Sequence, residues 1–262
     1  MADCATCHEA IHSEWNMSLH ADAWQSPVFR NRLEQADDTR KSACDCHAPA
    51  PSGGSQPVDA ILLRQGDRSG GVDCLSCHMD SDKQIWSTGD SLYVPHFTAK
   101  AAHYSTGAFC ASCHKWAESS EFDCQDCHMP SARGGLSSGK YIADQPGVSH
   151  SSHRFSGSRD PDFLSDGAEL SVEANGNKLE ITITSLVPAH TFPAVDHHSL
   201  VLAVVAGERG EPAWSNEIKL EAGGTLDLEA PAGRGSVVEL RFYPSTEVWP
   251  DSFYVMQRVE KH

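Results

Sequence analysis

The chain has 262 residues, with 20 lysines and arginines against 36 aspartates and glutamates, and a formal net charge of −16. The length leaves room for one or two domains, and no apolar run approaches the roughly 18 residues of a membrane-spanning helix. The acidic charge argues against nucleic acid and anionic membrane surfaces as partners, and favours either basic partner proteins or simply a solvated acidic surface.

All ten cysteines lie in five clusters that end in Cys-His. The clusters are Cys4, Cys7 and His8; Cys44, Cys46 and His47; Cys74, Cys77 and His78; Cys110, Cys113 and His114; and Cys124, Cys127 and His128. Four have the spacing C-x-x-C-H, the attachment signature of haem c, in which both thiols add to the haem vinyl groups and the histidine binds iron. Zinc knuckles also use C-x-x-C pairs but do not need the following histidine. The sequence therefore predicts a multihaem cytochrome with five haems c.

The second cluster departs from the signature. One residue separates Cys44 from Cys46, and Ala43 stands where the first cysteine usually lies. Either a compressed double thioether holds this haem, or Cys46 alone attaches it; a cluster without haem is the third alternative. The following His47-Ala48-Pro49 favours a haem here, and its attachment chemistry stays open.

The first part of the chain is poor in aliphatic runs, so ordinary side chains would not build a core there. Haem groups would supply the missing apolar surface. We expect short helices, such as Glu9–Trp24, Tyr93–Tyr104 and one at Trp116, joined by loops such as Pro49–Gly54 and Arg133–Gly139.

Beyond a polar link at Ser156–Asp166 the pattern changes to the alternation of half-buried strands. About seven short strands are expected, six of them near Glu169–Glu173, Lys178–Thr184, Ser199–Ala206, Thr225–Glu229, Val237–Tyr243 and Phe253–Val259. The predicted fold class is α+β. A helical, haem-packed cytochrome domain (residues 1–157) precedes an antiparallel, immunoglobulin-like β-sandwich (residues 167–262).

Histidine supplies the candidate iron ligands. Those that close the five clusters are the expected proximal ligands. The ten others are His12, His20, His96, His103, His150, His153, His190, His197, His198 and His262, enough for a second histidine at every haem. Because two histidines lack the thioether that raises the potential of Met/His cytochromes, low midpoint potentials are expected.

Several short segments of the first part carry a family resemblance. They are Trp15 to Ala23, His47 to Pro49, Gly71 to Cys74, Phe109 to His114, Cys124 to Pro130 and Ser152 to Gly157. Together with the first cluster they resemble the cytochrome c554-like group of multihaem cytochromes over about residues 1 to 157.

The resemblance implies that His20 and His153 are distal ligands. The segment Ala189 to Pro193 is similar to an element of related proteins in which the histidine, here His190, also ligates haem. If so, the β-sandwich is docked on the haem domain. His96 and His103, seven residues apart on one predicted helix face, are the remaining candidates.

Two kinds of function are compatible with these features. The first is electron transfer between redox proteins, in which the protein supplies spacing and insulation for its haems. Cytochrome c maturation occurs outside the cytoplasm, so we expect export to the periplasm or the cell surface. Some relatives polymerise into extracellular filaments, or nanowires, so further copies of the chain are candidate partners.

The second kind is an oxidoreductase that acts on a small nitrogen or sulfur compound at an open haem site. The resemblance weakens this alternative, because the lysine-ligated C-x-x-C-K haem of pentahaem nitrite reductases is absent. An electron carrier without catalytic residues is the favoured hypothesis.

Overall fold

The computed structural model of the chain describes residues 2–37, 42–58, 60–89, 96–115, 122–137, 149–206, 211–233 and 235–261. The chain divides into two compact units. The first takes in Met1–Lys115 and Ser120–Ser156, and the second follows from Gly157.

The first unit consists of short helices joined by loops. Its α-helices are Ala2–Cys7, Glu9–Asn16, Leu19–Asp22, Pro27–Gln35, Cys74–His78, Gly107–Ala111 and Cys124–His128, and its 3₁₀ helices are Ser42–His47 and Ala102–Ser105. Strands β1 (Ile85–Ser87) and β2 (Thr98–Lys100) pair in parallel, and β3 (Ser131–Arg133) and β4 (Ser149–Ser151) pair antiparallel. Among the described residues, the buried apolar side chains of this unit are Trp15, Ala21, Val28, Phe29, Ala48, Ala101 and Tyr104.

Two of the expected helices differ from the structure. The helix expected over Glu9–Trp24 is interrupted at Met17 and Ser18, because the Ser18 hydroxyl accepts a hydrogen bond from the backbone of Ala21 and starts a new turn. The helix expected over Tyr93–Tyr104 is wrong in its described part, where β2 pairs with β1 and a 3₁₀ turn follows. The helix expected at Trp116 lies outside the described residues.

The second unit is a two-layer antiparallel β structure that follows the helix Pro161–Ser165. Its strands are β5 (Ala168–Asn175), β6 (Lys178–Ser185), β7 (Ser199–Ala206), β8 (Pro212–Ile218), β9 (Thr225–Pro231), β10 (Ser236–Tyr243) and β11 (Tyr254–Glu260). One sheet has the order β5–β6–β9 and the other the order β11–β10–β7–β8.

Alternate residues of these strands form one apolar core. Ile181 and Ile183 on β6 are buried with Leu200 and Leu202 on β7 and Leu240 on β10. Burial of alternate side chains is the physical consequence of strand periodicity. The predicted fold class, α+β with an antiparallel β-sandwich after a helical first part, is confirmed.

One strand of the sandwich was not located from the sequence. Strand β8 lies at a sheet edge and begins with Pro212. Most of its residues are exposed, whereas Ile218 is buried and Trp214 is half-buried. An edge strand pairs on one side only, so it tolerates proline and polar residues that obscure the alternating pattern.

Candidate haem sites

The cysteines of the C-x-x-C-H motifs lie on or beside single helical turns. The helices Cys74–His78 and Cys124–His128 contain whole motifs, Ala2–Cys7 ends just before His8, and Gly107–Ala111 contains Cys110. At about 100° per residue, cysteines three apart on an α-helix project from the same side. This local geometry suits two thioether bonds to one haem.

The third motif has a network that fixes where its helix begins. Asp73 caps the helix Cys74–His78 through a reciprocal capping box with Ser76. Arg64 donates to the Asp73 carboxylate (2.8 Å), to the Ser76 hydroxyl (2.9 Å) and to the carbonyl of Pro49 (3.2 Å). The network ties this motif to the segment that follows His47, and Arg64 was not identified from the sequence.

Gly71, two residues before Asp73, allows the segment that carries His20 to approach closely. It has φ +54°, and a Cβ atom there would collide with the carbonyl of His20 and lie 2.9 Å from that of Ala21. The next residue, Val72, donates its N–H to the same His20 carbonyl (2.9 Å). The segment before the third motif therefore positions the turn that carries His20.

Thiols of different motifs lie together. The hydrogen-bonded pairs are Cys4 with Cys74, Cys46 with Cys113, and Cys110 with Cys124. The hydrogen bond from Cys74 lowers the pKa of Cys4 to about 6. The first motif is thus adjacent to the third, the second to the fourth, and the fourth to the fifth.

Three motif histidines face a second histidine at one characteristic spacing. The ring centroids are 6.1 Å apart for His8 and His96, 5.9 Å for His114 and His20, and 6.2 Å for His78 and His153. Metal–imidazole bonds are about 2.0–2.1 Å long, so two imidazoles on opposite sides of one metal ion have centroids about 6.3 Å apart. The spacing in all three pairs fits a bis-histidine iron.

Burial keeps several of these imidazoles neutral. Desolvation, followed by the nearby His114, lowers the pKa of His20 to about 3. Desolvation likewise lowers the pKa of His114 and of His153 to about 4. Only the neutral ring has a lone pair for a metal, so these histidines are in the ligating form at neutral pH.

Backbone carbonyls set the tautomer of the motif histidines. Nδ1 of several motif histidines donates a hydrogen bond to a carbonyl oxygen. The pairs are His8 with Leu136, His47 with Ala23 (3.2 Å), His78 with Trp86 (2.8 Å) and His128 with Ser156 (2.7 Å). Because Nδ1 carries the proton, Nε2 keeps the lone pair that binds iron. No sequence signal marks these acceptors, since every residue has a carbonyl.

The two ring nitrogens of His103 are buried in the first unit. Neither ring nitrogen is exposed, and neither has a hydrogen-bond partner in the described part of the chain. Its ring lies against Tyr104 and Phe109, 4.9 and 5.7 Å between centroids. Burial lowers the pKa of His103. Buried polar groups are rarely left unsatisfied, so this ring fits a metal-binding role.

The remaining predicted ligands are placed as follows. The ring of His47 stacks on Phe29 at 3.9 Å between centroids. His190 belongs to the second unit, where its Nδ1 donates to the carbonyl of Thr191 (2.9 Å). The three imidazole pairs include neither His103 nor His190.

Glu14 is a further residue of the site that the sequence did not reveal. Its carboxylate accepts hydrogen bonds from Nε2 of His150 (3.2 Å) and from the backbone N–H of His153 (2.8 Å). The side chain of His150 is 2% exposed. Glu14 thus holds the backbone of His153, a candidate distal ligand. The His150 side chain in turn donates to the Glu14 carboxylate.

The chain is similar to known proteins in part of its sequence and in its fold. Residues 3–79 match the family described as cytochrome c554 and c-prime. The fold is similar to the crystal structure of a penta-heme cytochrome c552 from Thermochromatium tepidum, with a TM-score of 0.67 and 17% sequence identity over 98% of this chain and 97% of that chain. No curated protein matches the chain.

The family match over residues 3–79, the shared fold and the Cys-His motifs together support the resemblance to multihaem c-type cytochromes. The predicted resemblance is confirmed over these residues, and proteins of this class have haem c as their cofactor and electron transfer as their general function. Among the described residues, no helix is long and apolar enough to cross a membrane.

Proposed function

We propose that this protein passes electrons through about five covalently bound c-type haems, most of them ligated by two histidines, outside the cytoplasm. The observation that carries the proposal is the set of three imidazole pairs. Each pair combines a motif histidine with a histidine from a distant segment, at 5.9 to 6.2 Å between ring centroids. Two histidines on one iron leave no axial position for a substrate, which favours a carrier over an enzyme.

The residues of the chain would have three roles. Bound haem supplies an iron that accepts and releases one electron. The cysteines would fix each haem covalently, the neutral imidazoles would bind its iron, and the carbonyls that accept from Nδ1 would hold the imidazole rings in one tautomer. Buried side chains such as Trp15 and Phe29 exclude water around them.

The proximity of the motifs supports a continuous row of haems. The thiol contacts join the first motif to the third, the second to the fourth and the fourth to the fifth. The rings of His20 and His153 are close enough to interact electrostatically, which brings the fourth and third sites together. An electron entering at any haem would therefore find a neighbouring haem.

The number of five haems rests on the five Cys-His clusters and on the fold shared with a penta-heme cytochrome. Five distal ligands would then be needed. The three paired candidates His20, His96 and His153, together with His103 and His190, supply them. The haem at Cys44 and Cys46 belongs to this count.

The proposed location and partners of the protein rest on the chemistry of haem attachment and on the net charge of the chain. Haem c is attached outside the cytoplasm, so we propose a periplasmic or extracellular protein that was exported. With a net charge of −16, it would meet basic redox partners most rapidly.

The proposal is tested by intact mass and by redox titration of the purified holoprotein. We expect a mass with five haems, ferric haems that are nearly all low-spin, and midpoint potentials that are mostly negative. Strongly positive midpoints would contradict bis-histidine ligation. A high-spin ferric signal that shifts with nitrite or hydroxylamine would favour the oxidoreductase alternative.

A filament subunit is the more specific form of the proposal, supported by the family resemblance and by histidines outside the three pairs, such as His12 and His197. A distal ligand could then come from a second copy of the chain. Negative-stain electron microscopy of protein from its native source distinguishes the two forms. Long regular filaments would support the polymer, and discrete particles would restrict the proposal to a soluble carrier.

A further inference from the structure

One phenyl ring contacts two of the proposed distal ligands. The ring of Phe155 meets the ring of His20 edge-on, with 4.3 Å between centroids and an interplanar angle of 69°. It also meets the ring of His153 edge-on, with 5.7 Å and 79°. His20 pairs with the fourth motif and His153 with the third. A single side chain therefore stands between two haem sites.

The backbone of Phe155 is held in an unfavourable conformation. Its φ is +49°, in the left-handed region that bulky residues rarely adopt. Lys83 is the other described residue besides glycine with a positive φ. Such conformations persist where the surroundings determine them, and they concentrate at functional sites.

Hydrogen bonds hold the backbone on both sides of Phe155. Before Phe155, the backbone N–H of His153 is bound to Glu14 (2.8 Å), and Ser152 donates to the carbonyl of Pro130 (2.9 Å). After it, the carbonyl of Ser156 accepts from Nδ1 of His128 (2.7 Å). The left-handed turn at Phe155 connects these two fixed ends of the loop.

We infer that Phe155 is a positioning residue that orients the axial imidazoles of His20 and His153 together and so couples the third and fourth haem sites. The inference rests on the proposed bis-histidine ligation. An edge-on aromatic contact favours one relative orientation of the two rings. A phenyl ring that touches both imidazoles restricts the rotation of each about its bond to iron.

The test compares three variants as holoproteins. Phe155→Leu keeps bulk but loses the aromatic edge, Phe155→Gly also relaxes the backbone, and Phe155→Tyr keeps the ring. We expect Phe155→Leu and Phe155→Gly to shift the electron paramagnetic resonance signals of two low-spin haems with no loss of haem. Phe155→Tyr should resemble the wild type. Since glycine tolerates the left-handed backbone, equal shifts in both variants would assign the effect to the ring.

Phe29→Leu is the matched comparison, because Phe29 stacks on one proposed ligand, His47, at 3.9 Å. We expect it to shift one haem signal, against two for Phe155→Leu.

If Phe155→Leu shifts no signal or only one while all haems stay low-spin, the inference is overturned and the proposed function stands. If the wild type itself lacks bis-histidine signals, the proposed function fails first. If Phe155→Gly does not fold, the comparison of the signal shifts in Phe155→Leu and Phe155→Tyr tests the inference.

Discussion

At the scale of single residues, the environment of His20 combines burial with contacts from three segments. Its ring lies beside His114 and Phe155, and its carbonyl is held by Val72. Desolvation lowers its pKa to about 3. An imidazole that is neutral, immobile and close to a motif histidine has the properties of an axial ligand.

Replacing His20 with alanine should therefore open one axial position. We expect one haem to change from low-spin to high-spin and to bind carbon monoxide when reduced, with all haems retained. Electron paramagnetic resonance of the ferric protein and carbon monoxide titration of the ferrous protein measure this.

His12→Ala provides the control, because His12 packs on Trp15 and belongs to none of the three pairs. In the discrete, non-filament form of the protein, it should leave every haem low-spin. A fully low-spin His20→Ala variant would show that His20 is not a ligand.

The Arg64–Asp73 ion pair should contribute to the stability of the first unit. The two side chains are 17% and 9% exposed, and Arg64 also donates to Ser76. Removing one member of a buried, hydrogen-bonded pair leaves an uncompensated charge, so we expect Arg64→Gln to lower the free energy of unfolding by about 3 kcal/mol. Thermal and denaturant unfolding followed by circular dichroism measure this loss.

The exposed pair of Lys178 and Glu229, 57% and 60% exposed, offers a comparison. Lys178→Gln should produce no measurable change, because exposed ion pairs are screened by water and salt. An equally small effect of Arg64→Gln would mean that the network around Asp73 is not needed for stability.

At the scale of elements, the second cluster differs from the others in helix type. Cys44 and Cys46 lie on the 3₁₀ helix Ser42–His47. With three residues per turn, positions two apart project about 120° from each other, whereas cysteines three apart on an α-helix differ by about 60°. The two thiols of this cluster therefore point in more divergent directions than those of a C-x-x-C-H motif.

This geometry predicts a single thioether at the second haem, formed by Cys46, whose thiol is also the one next to Cys113. Cys46→Ala should lose one haem per chain, and Cys44→Ala should keep the full number. Intact mass spectrometry after purification counts the haems. Loss of a haem from Cys44→Ala would instead indicate the compressed double thioether.

At the scale of the whole molecule, charge should control the rate of electron exchange. The chain has a net charge of −16, so its surface attracts cationic reagents and repels anionic ones. We expect a small cationic redox complex to react faster than an anionic one of similar potential, by about tenfold or more at low ionic strength.

Stopped-flow kinetics at increasing salt tests this expectation. The difference should shrink as the Debye length falls to about 8 Å near 0.15 M salt, and a neutral reagent should show no salt dependence. Equal rates for both charged reagents at low salt would indicate that electrons leave through a surface without excess acidic charge.

The sequence predicts most of the fold where the signal is local. Alternation along Lys178–Thr184 predicts one central strand and the apolar run within Ser199–Ala206 predicts another, because both signals depend on neighbouring residues alone. The helix expected over Tyr93–Tyr104 fails where β2 pairs with β1, a contact between separate segments. Propensity is a weak guide wherever such pairing competes with it.

By itself, the sequence determined the class of cofactor and the candidate attachment cysteines and motif histidines, because thioether attachment requires a fixed local spacing. Only the tertiary structure decided which motifs are adjacent and which histidine faces which motif, as His96 faces His8. It also disclosed Glu14, Arg64 and Phe155 as supporting residues. Their roles arise from contacts between segments far apart in the chain, and no local pattern records such contacts.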